Sequence, residues 1–482
     1  MTETSGQKML LPILSFIVLV IMAGEAMLTA ALPMMNNEFD VPGVFESWIL
    51  PMVLLVGAAA APFIGTAGDQ YGRRKLLLMC LFIYFIGLIC GYMAQNIWIL
   101  LFSRAMQGIG LGSFPLAYAL VRDQLPHREA DVGIGLISAM YGGGMFIGVI
   151  IGSFLIEAFS WRMTYLALVP VTVILILLTI IFIHDTRIVS TLAESIPTHL
   201  DWFGFITLLS ALFLGLVTIS LGETESSGFI LRGLSGGGAI IAGILFIRTE
   251  LRVPRPLVDL HLAAKRPVLL LIGVGTLTIL AFLMLLQEMP FLIQSGTGLG
   301  LTPASVGLIL MPGTLCDMMA GPLTGRLVAS RGVRIPCVVG SLLLVGAMLI
   351  LLSGTLSFLT LIIAWMIFSA GMSTTSTSCM IAIIDYVPAS RTAEATGLMQ
   401  SVQTIGGMVG PVLTGLILAS SSVPYLKNGS VWMMPAPITF MNVHGVVLLF
   451  SIITLFCSLC LKSGGQENGF NREDTLNRKG VF

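Results

Sequence analysis

The sequence predicts an all-α integral membrane protein of fourteen transmembrane helices, two six-helix bundles with an inserted pair of helices between them. Three observations carry that expectation. The 482 residues are 56% hydrophobic and only 10% charged, whereas soluble domains carry about 25% charged residues. Apolar runs of roughly 20 residues, enough to cross the hydrocarbon core, recur fourteen times. Two motifs repeat at a near-constant offset of about 260 residues, as a duplicated bundle would.

The first six runs are 9–32, 48–66, 76–94, 97–120, 132–159 and 163–183. The first lacks a small-residue cleavage site and reads as a retained span, not a signal peptide. Two more follow at 202–221 and 231–247, the latter the shortest and opening on Arg232 beside a glycine cluster. The last six are 268–287, 305–327, 335–352, 358–384, 395–420 and 438–461. Charge tests the count. With the N-terminus inside, every Lys and Arg except Arg104, Arg162, Arg232 and Lys427 lies on the inner side, and dropping one span would spoil that bias. A multi-pass protein of the plasma (inner) membrane with both termini cytoplasmic is expected.

The repeat divides the chain. Gly65-x3-Asp69-x2-Gly72-x-Arg74 returns as Gly325-x3-Ala329-x2-Gly332-x-Arg334, and Gly144-x3-Gly148 returns as Gly406-x3-Gly410. Eight intervening helices make about 32 residues per helix and loop, matching the neighbouring spacing; six would demand loops too long for this chain. The expected units are an N-terminal segment 1–8, a bundle 9–183, an inserted pair with its loops 184–267, a bundle 268–461 and a polar tail 462–482. The longest connections, 184–201, 248–267 and 421–437, leave no room for a soluble domain. Asn428-Gly429-Ser430 in the last is a glycosylation sequon, for which a chance match is the simpler reading.

Several functions are disfavoured. The formal net charge is zero and no Lys/Arg block suggests nucleic acid. The cysteines all lie in apolar runs, and Cys457-x2-Cys460 has no second ligand pair, so helix packing explains them better than metal or redox chemistry. There is no Gly-x4-Gly-Lys-Ser/Thr loop for a nucleotide. Gly108-x-Gly110-x-Gly112 lies inside an apolar span with no preceding strand, and reads as close helix packing. No catalytic triad or metal-ligand cluster is visible, so neither an enzyme nor a cofactor is expected.

Ionisable residues inside spans are costly and therefore informative. Glu25 and Arg104 lie at similar depths in the first and fourth spans, Asp317 near the middle of the tenth, and Glu288 near the outer end of the ninth. Read functionally, Glu25 is a proton or cationic-substrate site and Arg104 its electrostatic partner, with Asp317 a further candidate. Read structurally, the first two form a static ion pair that fixes helix packing. Glu288 near a span end can also be relieved by snorkelling.

The stretch Gly65-Thr66-Ala67-Gly68-Asp69-Gln70-Tyr71-Gly72-Arg73-Arg74-Lys75 concentrates charge between two spans. Gly72 permits a sharp bend, Asp69 can accept hydrogen bonds from a helix N-terminus, and Arg73, Arg74 and Lys75 suit the inner surface. This pattern resembles the loop between helices 2 and 3 of major facilitator superfamily transporters. Leu101-x2-Arg104-x2-Gln107-Gly108-x-Gly110 is similar to the superfamily's fourth-helix signature, whose Arg is implicated in proton coupling. Gly144-x3-Gly148-Val149-x2-Gly152-Ser153 resembles the fifth-helix signature of antiporters, with Val149 replacing its Pro and Ser153 its last Gly. Gly410-Pro411 keeps the Gly-Pro dipeptide in the second half.

The fourteen-span layout, Trp161-Arg162 and Leu200-Asp201-Trp202-Phe203-Gly204 all resemble the fourteen-span drug:proton antiporters. That family places an Asp in the first helix where this chain has Gly24, with Glu25 beside it and about 100° further round the helix. The resemblance implies the major facilitator fold and proton-coupled export of hydrophobic or amphipathic compounds by alternating access. It implies a small-molecule substrate, protons as coupling ion, the lipid bilayer as surroundings and, in a double-membrane bacterium, a periplasmic adaptor. It also implies that Asp69 pairs with a helix N-terminus of the other bundle. A transporter of a specific metabolite (siderophore, peptide or lipid) keeps the same fold, and a non-transporting receptor or scaffold is the alternative of a different class.

Overall fold

The structure is a computed structural model that describes residues 2–39, 48–183, 200–221, 226–253, 263–354, 356–386, 392–427 and 430–461. Among them, fourteen helical segments are long and apolar enough to cross a membrane. The first bundle comprises α1 (Thr2–Met27), α2 (Leu32–Phe39), α3 (Ile49–Tyr71), α4 (Arg73–Tyr92), α5 (Ile97–Leu111), α6 (Ser113–Gln124), α7 (His127–Ala158) and α8 (Arg162–Phe182). The inserted pair is α9 (Trp202–Ser220) and α10 (Ser226–Glu250). The second bundle comprises α11 (Arg266–Gln294), α12 (Pro303–Arg331), α13 (Arg334–Leu352), α14 (Phe358–Tyr386), α15 (Thr392–Ala419) and α16 (Pro437–Leu459).

Two expected spans are compound. The first runs through α1, a 3-10 turn at Thr29–Ala31 and α2; the fourth is α5 followed by α6, joined at Gly112. The tail 462–482, most of the connection 184–201 and Asn428 and Gly429 of the sequon lie outside the described residues. The connection 421–437 contains strands: β1 (Ser422–Lys427) pairs antiparallel with β2 (Ser430–Pro435), from Ser422 opposite Pro435 to Lys427 opposite Ser430. Thr297 Oγ1 donates to Pro435 O at 2.8 Å and the Tyr425 ring covers Gly296, which docks this hairpin on the loop after α11.

The duplication is visible in the packing. In the first bundle α7 lies along α1; in the second α15 lies along α11. A methyl group at Gly148 would meet the Ala23 Cα at 2.7 Å, and one at Gly152 the Met27 carbonyl carbon at 2.8 Å. Gly144 meets the Leu19 backbone in the same way, so three glycines one turn apart let two backbones touch. Gly410 makes the equivalent approach to Leu280 O, at 2.6 Å from an added Cβ. The next turn of α15 carries Thr414, whose Oγ1 donates to Met284 O at 2.9 Å. Pro411 sits inside α15, where its missing N–H frees the Gly407 carbonyl from the helical ladder. The Gly108-Gly110-Gly112 run acts likewise: Gly108 lies against Val53 O, Gly110 against the Tyr84 ring and Gly112 against Ile64.

The two bundles face each other across two seams, α7 against α12 and α3 against α15. Between described residues, the hydrogen bonds crossing from bundle to bundle all lie at the end opposite Arg73. Gln294 Nε2 donates to Ala30 O at 2.8 Å, and Glu157 Oε2 accepts from Ala304 N at 2.7 Å. The second bond caps the N-terminus of α12 with a carboxylate from α7, where the helix dipole favours negative charge. Along α12, Leu308, Leu315, Met319 and Leu323 form one exposed stripe, while Val306, Ile309, Leu310, Thr324 and Val328 are buried. Two hydrogen bonds join the bundles at the far end.

The inserted pair is fastened to α3. Trp202 and Phe205 close on Phe63 with ring centroids 4.6 and 4.7 Å away, and Trp48 Nε1 donates to Ser220 Oγ at 2.7 Å. Asp201 caps α9 by accepting from Gly204 N at 2.7 Å. α9 also touches α15 and so lies over the α3/α15 seam, with α10 on its outer flank.

Candidate functional site

The charged centre of the first bundle is built on three helices. α5 begins at Asn96, whose side chain accepts from Ile99 N, and α5 carries Ser103, Arg104 and Gln107 on its inward face. Arg104 is fully buried, so each donor needs an acceptor. Its Nη2 donates to Glu25 Oε2 at 2.8 Å, its Nη1 to Gln107 Oε1 at 2.9 Å and its Nε to Ile49 O at 2.9 Å. Gln107 Nε2 in turn donates to Ser103 Oγ at 3.2 Å, and Ser103 Oγ to Gly87 O at 2.8 Å. One guanidinium thus ties α1, α3 and α5 together. The Glu25 side chain retains 13% exposure, against 0% for Arg104. The carboxylate is therefore the member that solvent or a bound cation can reach, while Arg keeps its charge throughout.

The position beside Glu25 explains why the acid is there. A side chain at Gly24 would collide with the Tyr84 hydroxyl and meet Leu168 Cδ1 at 2.9 Å. Position 24 faces α4 and α8, and position 25 faces Arg104.

The second bundle repeats this frame without its charge. Trp365 Nε1 donates to Leu310 O at 3.1 Å, and this bond and that of Arg104 Nε to Ile49 O each span 55 residues. Ala23 and Leu280 occupy matching places against Gly148 and Gly410, so Phe282 stands where Glu25 stands. Phe282 and Trp365 stack with centroids 5.5 Å apart. An aromatic pair replaces the ion pair.

The remaining sequence candidates fall in other places. Asp317 lies half-buried in α12, its backbone carbonyl accepting from Ser373 Oγ at 2.9 Å, and it is not brought to Glu25 and Arg104. Gly65 faces Pro115, with an added Cβ 3.6 Å from it. Gly72 has φ +101° and Gly332 φ +73°, so both copies of the loop turn through a conformation that favours glycine. Arg73 forms an ion pair with Asp123 and donates to Ala119 O at 3.1 Å, and Arg74 donates to Ile180 O at 2.6 Å. These arginines fasten the turn to the C-terminal ends of α6 and α8, where helix dipoles favour cations. Lys75 lies exposed in the first turn of α4. Asp69 sits in the last turn of α3; its side chain, like that of Ala329, lies outside the described residues.

Three pairings are not apparent in the sequence, although Glu288 itself is. Glu157 caps α12 across the seam, a role that needs three-dimensional proximity. Glu38 accepts from Arg162 at 2.7 Å and from Trp161 Nε1 at 2.6 Å, tying α2 to α8. Glu288 Oε1 lies 3.1 Å from His444 Nε2, with both side chains buried. His444 was findable, because it is a titratable residue in the middle of an apolar run.

Comparison with known proteins adds the following. The sequence model of the Major Facilitator Superfamily matches residues 14–411 and 289–462. The "Multidrug efflux pump LfrA" of Mycolicibacterium smegmatis is 25% identical over 424 residues, covering 85% of this chain and 80% of that protein. The "Multidrug resistance protein Stp" of Mycobacterium tuberculosis is 25% identical over 398 residues, covering 81% and 72%. Among solved structures, the nucleoside transporter NupG superposes with a TM-score of 0.60 at 13% identity, covering 94% of this chain and 98% of that one. The human organic anion transporter MFSD10 gives 0.58 at 17% identity, covering 93% and 99%. At these identities the structural likeness speaks for the fold alone.

Proposed function

The chain belongs to the major facilitator superfamily, and on that premise we propose that it exports hydrophobic or amphipathic compounds from the cytoplasm in exchange for protons, by alternating access between its two bundles. The observation that carries this reading is the Glu25–Arg104 pair: a buried charge pair with its carboxylate still reachable, present in one bundle and replaced by an aromatic stack in the other. A scaffold has no need of such a pair, because apolar packing stabilises as well. The names of the relatives support an efflux role.

In this reading the protein lies in the plasma (inner) membrane with both termini and the Arg73 turn in the cytoplasm. Gln294 and Glu157 then close the outer side. Glu25, held by Arg104, is the ionised carboxylate that has released its proton inward. As the bundles rock, Glu25 exchanges Arg104 for a proton, or for a cationic substrate. Asp317 is the candidate for a second polar contact from the opposite bundle, Asp69 for an inner latch, and the glycines of α7 for the surface along which α1 is held. A periplasmic adaptor is a further partner in a double-membrane bacterium.

The test is a compound-susceptibility panel in cells stripped of their own efflux pumps, followed by transport in proteoliposomes under an imposed pH gradient. Resistance with gradient-driven accumulation is expected. Binding or transport of a single metabolite, indifferent to the gradient, would overturn the reading.

A further inference from the structure

The mechanism above leaves one buried titratable pair unused, in the bundle that lacks the arginine. Glu288 is fully buried on α11, and His444 on α16 is 3% exposed. Glu288 lies six positions beyond Phe282, about 9 Å nearer the far end of the membrane. By the same register its counterpart in the first bundle is Ala31, so the duplication does not account for it. Although Oε1 and Nε2 are 3.1 Å apart, neither these atoms nor Glu288 Oε2 and His444 Nδ1 make a well-aligned hydrogen bond. Gln287 Oε1 beside them is also without a donor.

Among the described residues, His444 is the only charged or titratable partner acting on Glu288. Of the elements against α11, α16 brings His444, while Cys457 and Cys460 lie at its other end. On α12, Cys316, Asp317, Arg326 and Arg331 lie further toward the Arg73 end, as do Cys379 and Asp385 on α14, and α15 carries Glu394 in its first turn. From α2, Glu38 is engaged with Arg162 and Trp161. The charge of the pair is therefore set by its own protons. With one proton it is neutral; with none it carries a negative charge, and with two a positive one, each costly in a site this deeply buried. Glu25 differs, because Arg104 balances its ionised form without any proton.

Position gives the pair a way to exchange. Pro290, two residues on, denies Leu286 O its helical donor, and the segment beyond it ends at Gln294, which holds Ala30 of the first bundle. The pair therefore sits at the flexible point of the strut that shuts the far end. We propose that Glu288 and His444 together bind one exchangeable proton and form a second proton site, reached from the far end when Gln294 releases Ala30.

The experiment is pH-difference infrared spectroscopy on the full-length protein in nanodiscs, without substrate or gradient. Wild type, Glu25→Gln, Glu288→Gln, Glu288→Asp, His444→Gln and the Glu288→Gln/His444→Gln double variant are compared. Wild type and Glu25→Gln are expected to share a pH-dependent change in the carboxylic acid and imidazole bands. Glu288→Gln, His444→Gln and the double variant lose it, and Glu288→Asp keeps it at a shifted midpoint. Spectra of His444→Gln that superimpose on wild type would overturn the shared proton, and they decide the matter even where Glu288→Gln does not fold. A pair that merely packs the bundle would lower the unfolding temperature in both single variants with no pH-dependent band in wild type. Failure of proton-coupled transport would overturn the proposed function while leaving this titration unaffected.

Discussion

Replacing Glu25 by Gln removes one negative charge and keeps almost the whole shape of the side chain. Arg104 would then retain neutral acceptors at Ile49 O, at Gln107 Oε1 and at the new amide oxygen. What is lost is the counter-charge of a buried guanidinium, and an uncompensated buried charge costs roughly 3–5 kcal/mol. The amide oxygen still accepts from Arg104 and offsets about 0.5–1.5 kcal/mol of that, which Glu25→Ala cannot do. The Gln variant should therefore fold with a measurably lower unfolding temperature in detergent, and the Ala variant should fall further. Its functional effect should be out of proportion to that loss. An amide cannot take up a proton, so uphill transport under an imposed pH gradient should vanish while substrate binding and downhill exchange persist. Glu25→Asp should keep partial activity. The assay sets internal and external pH separately in proteoliposomes. If Glu25→Gln concentrates substrate as well as wild type, the coupling proton is carried elsewhere and the argument from this pair fails.

Four further outcomes are expected. Gly148→Ala forces α7 away from Ala23 and should cost about 1–3 kcal/mol, seen as reduced yield of monodisperse protein, while Gly143→Ala, with nothing within 4 Å, should be neutral. Glu157→Ala removes the cap on α12, about 0.5–2 kcal/mol, and should shift spin-label distances across the far end toward the open state. Asp69→Asn should slow turnover at matched expression and favour the state parted at the Arg73 end, whereas Ala329→Asp should do little harm. Finally, burial pushes the Glu38 carboxyl up, but hydrogen bonds from Arg162 and Trp161 and the Arg162 charge outweigh it and hold it below the usual carboxylate range. A depressed folded value means the stabilisation is complete above the unfolded value of about 4.3 and is lost as pH falls through the folded one. Unfolding temperature should drop there in wild type, and that component should be missing in Glu38→Gln.

Much of this architecture was legible because a bilayer punishes exceptions. Glu25 and Arg104 stood out because a charge in an apolar run needs a reason, and their depths matched once the helices were given directions. The turn at Gly72 was legible too, and its φ of +101° gives the physical reason for the glycine. The sequence could not say which carbonyl Arg104 would reach, because Ile49 lies 55 residues away and its backbone oxygen carries no residue-type signal. Nor could it say that Trp365 stands in for Arg104, since an aromatic residue in an apolar run attracts no notice. The hairpin was missed for a different reason. Asn428-Gly429 between alternating residues is a two-residue turn signal, but it was weighed only as a sequon. His444 does not stand out as a charge in the sequence, because its charge depends on pH.

The attachment of α9 has a mechanical corollary. Among the described residues, its aromatic contacts and its hydrogen bond from Trp48 run to α3 and its N-cap, whereas α15 meets it by packing alone. In the alternating-access cycle proposed above, α9 and α10 ride with the first bundle and slide over the second. One flank of the transporter then keeps a protein wall at every stage of the cycle, while the α7/α12 flank opens and closes directly against lipid. Acyl chains therefore act as solvent for the moving surface on one side only, and bilayer thickness and lateral pressure should load the two flanks unequally.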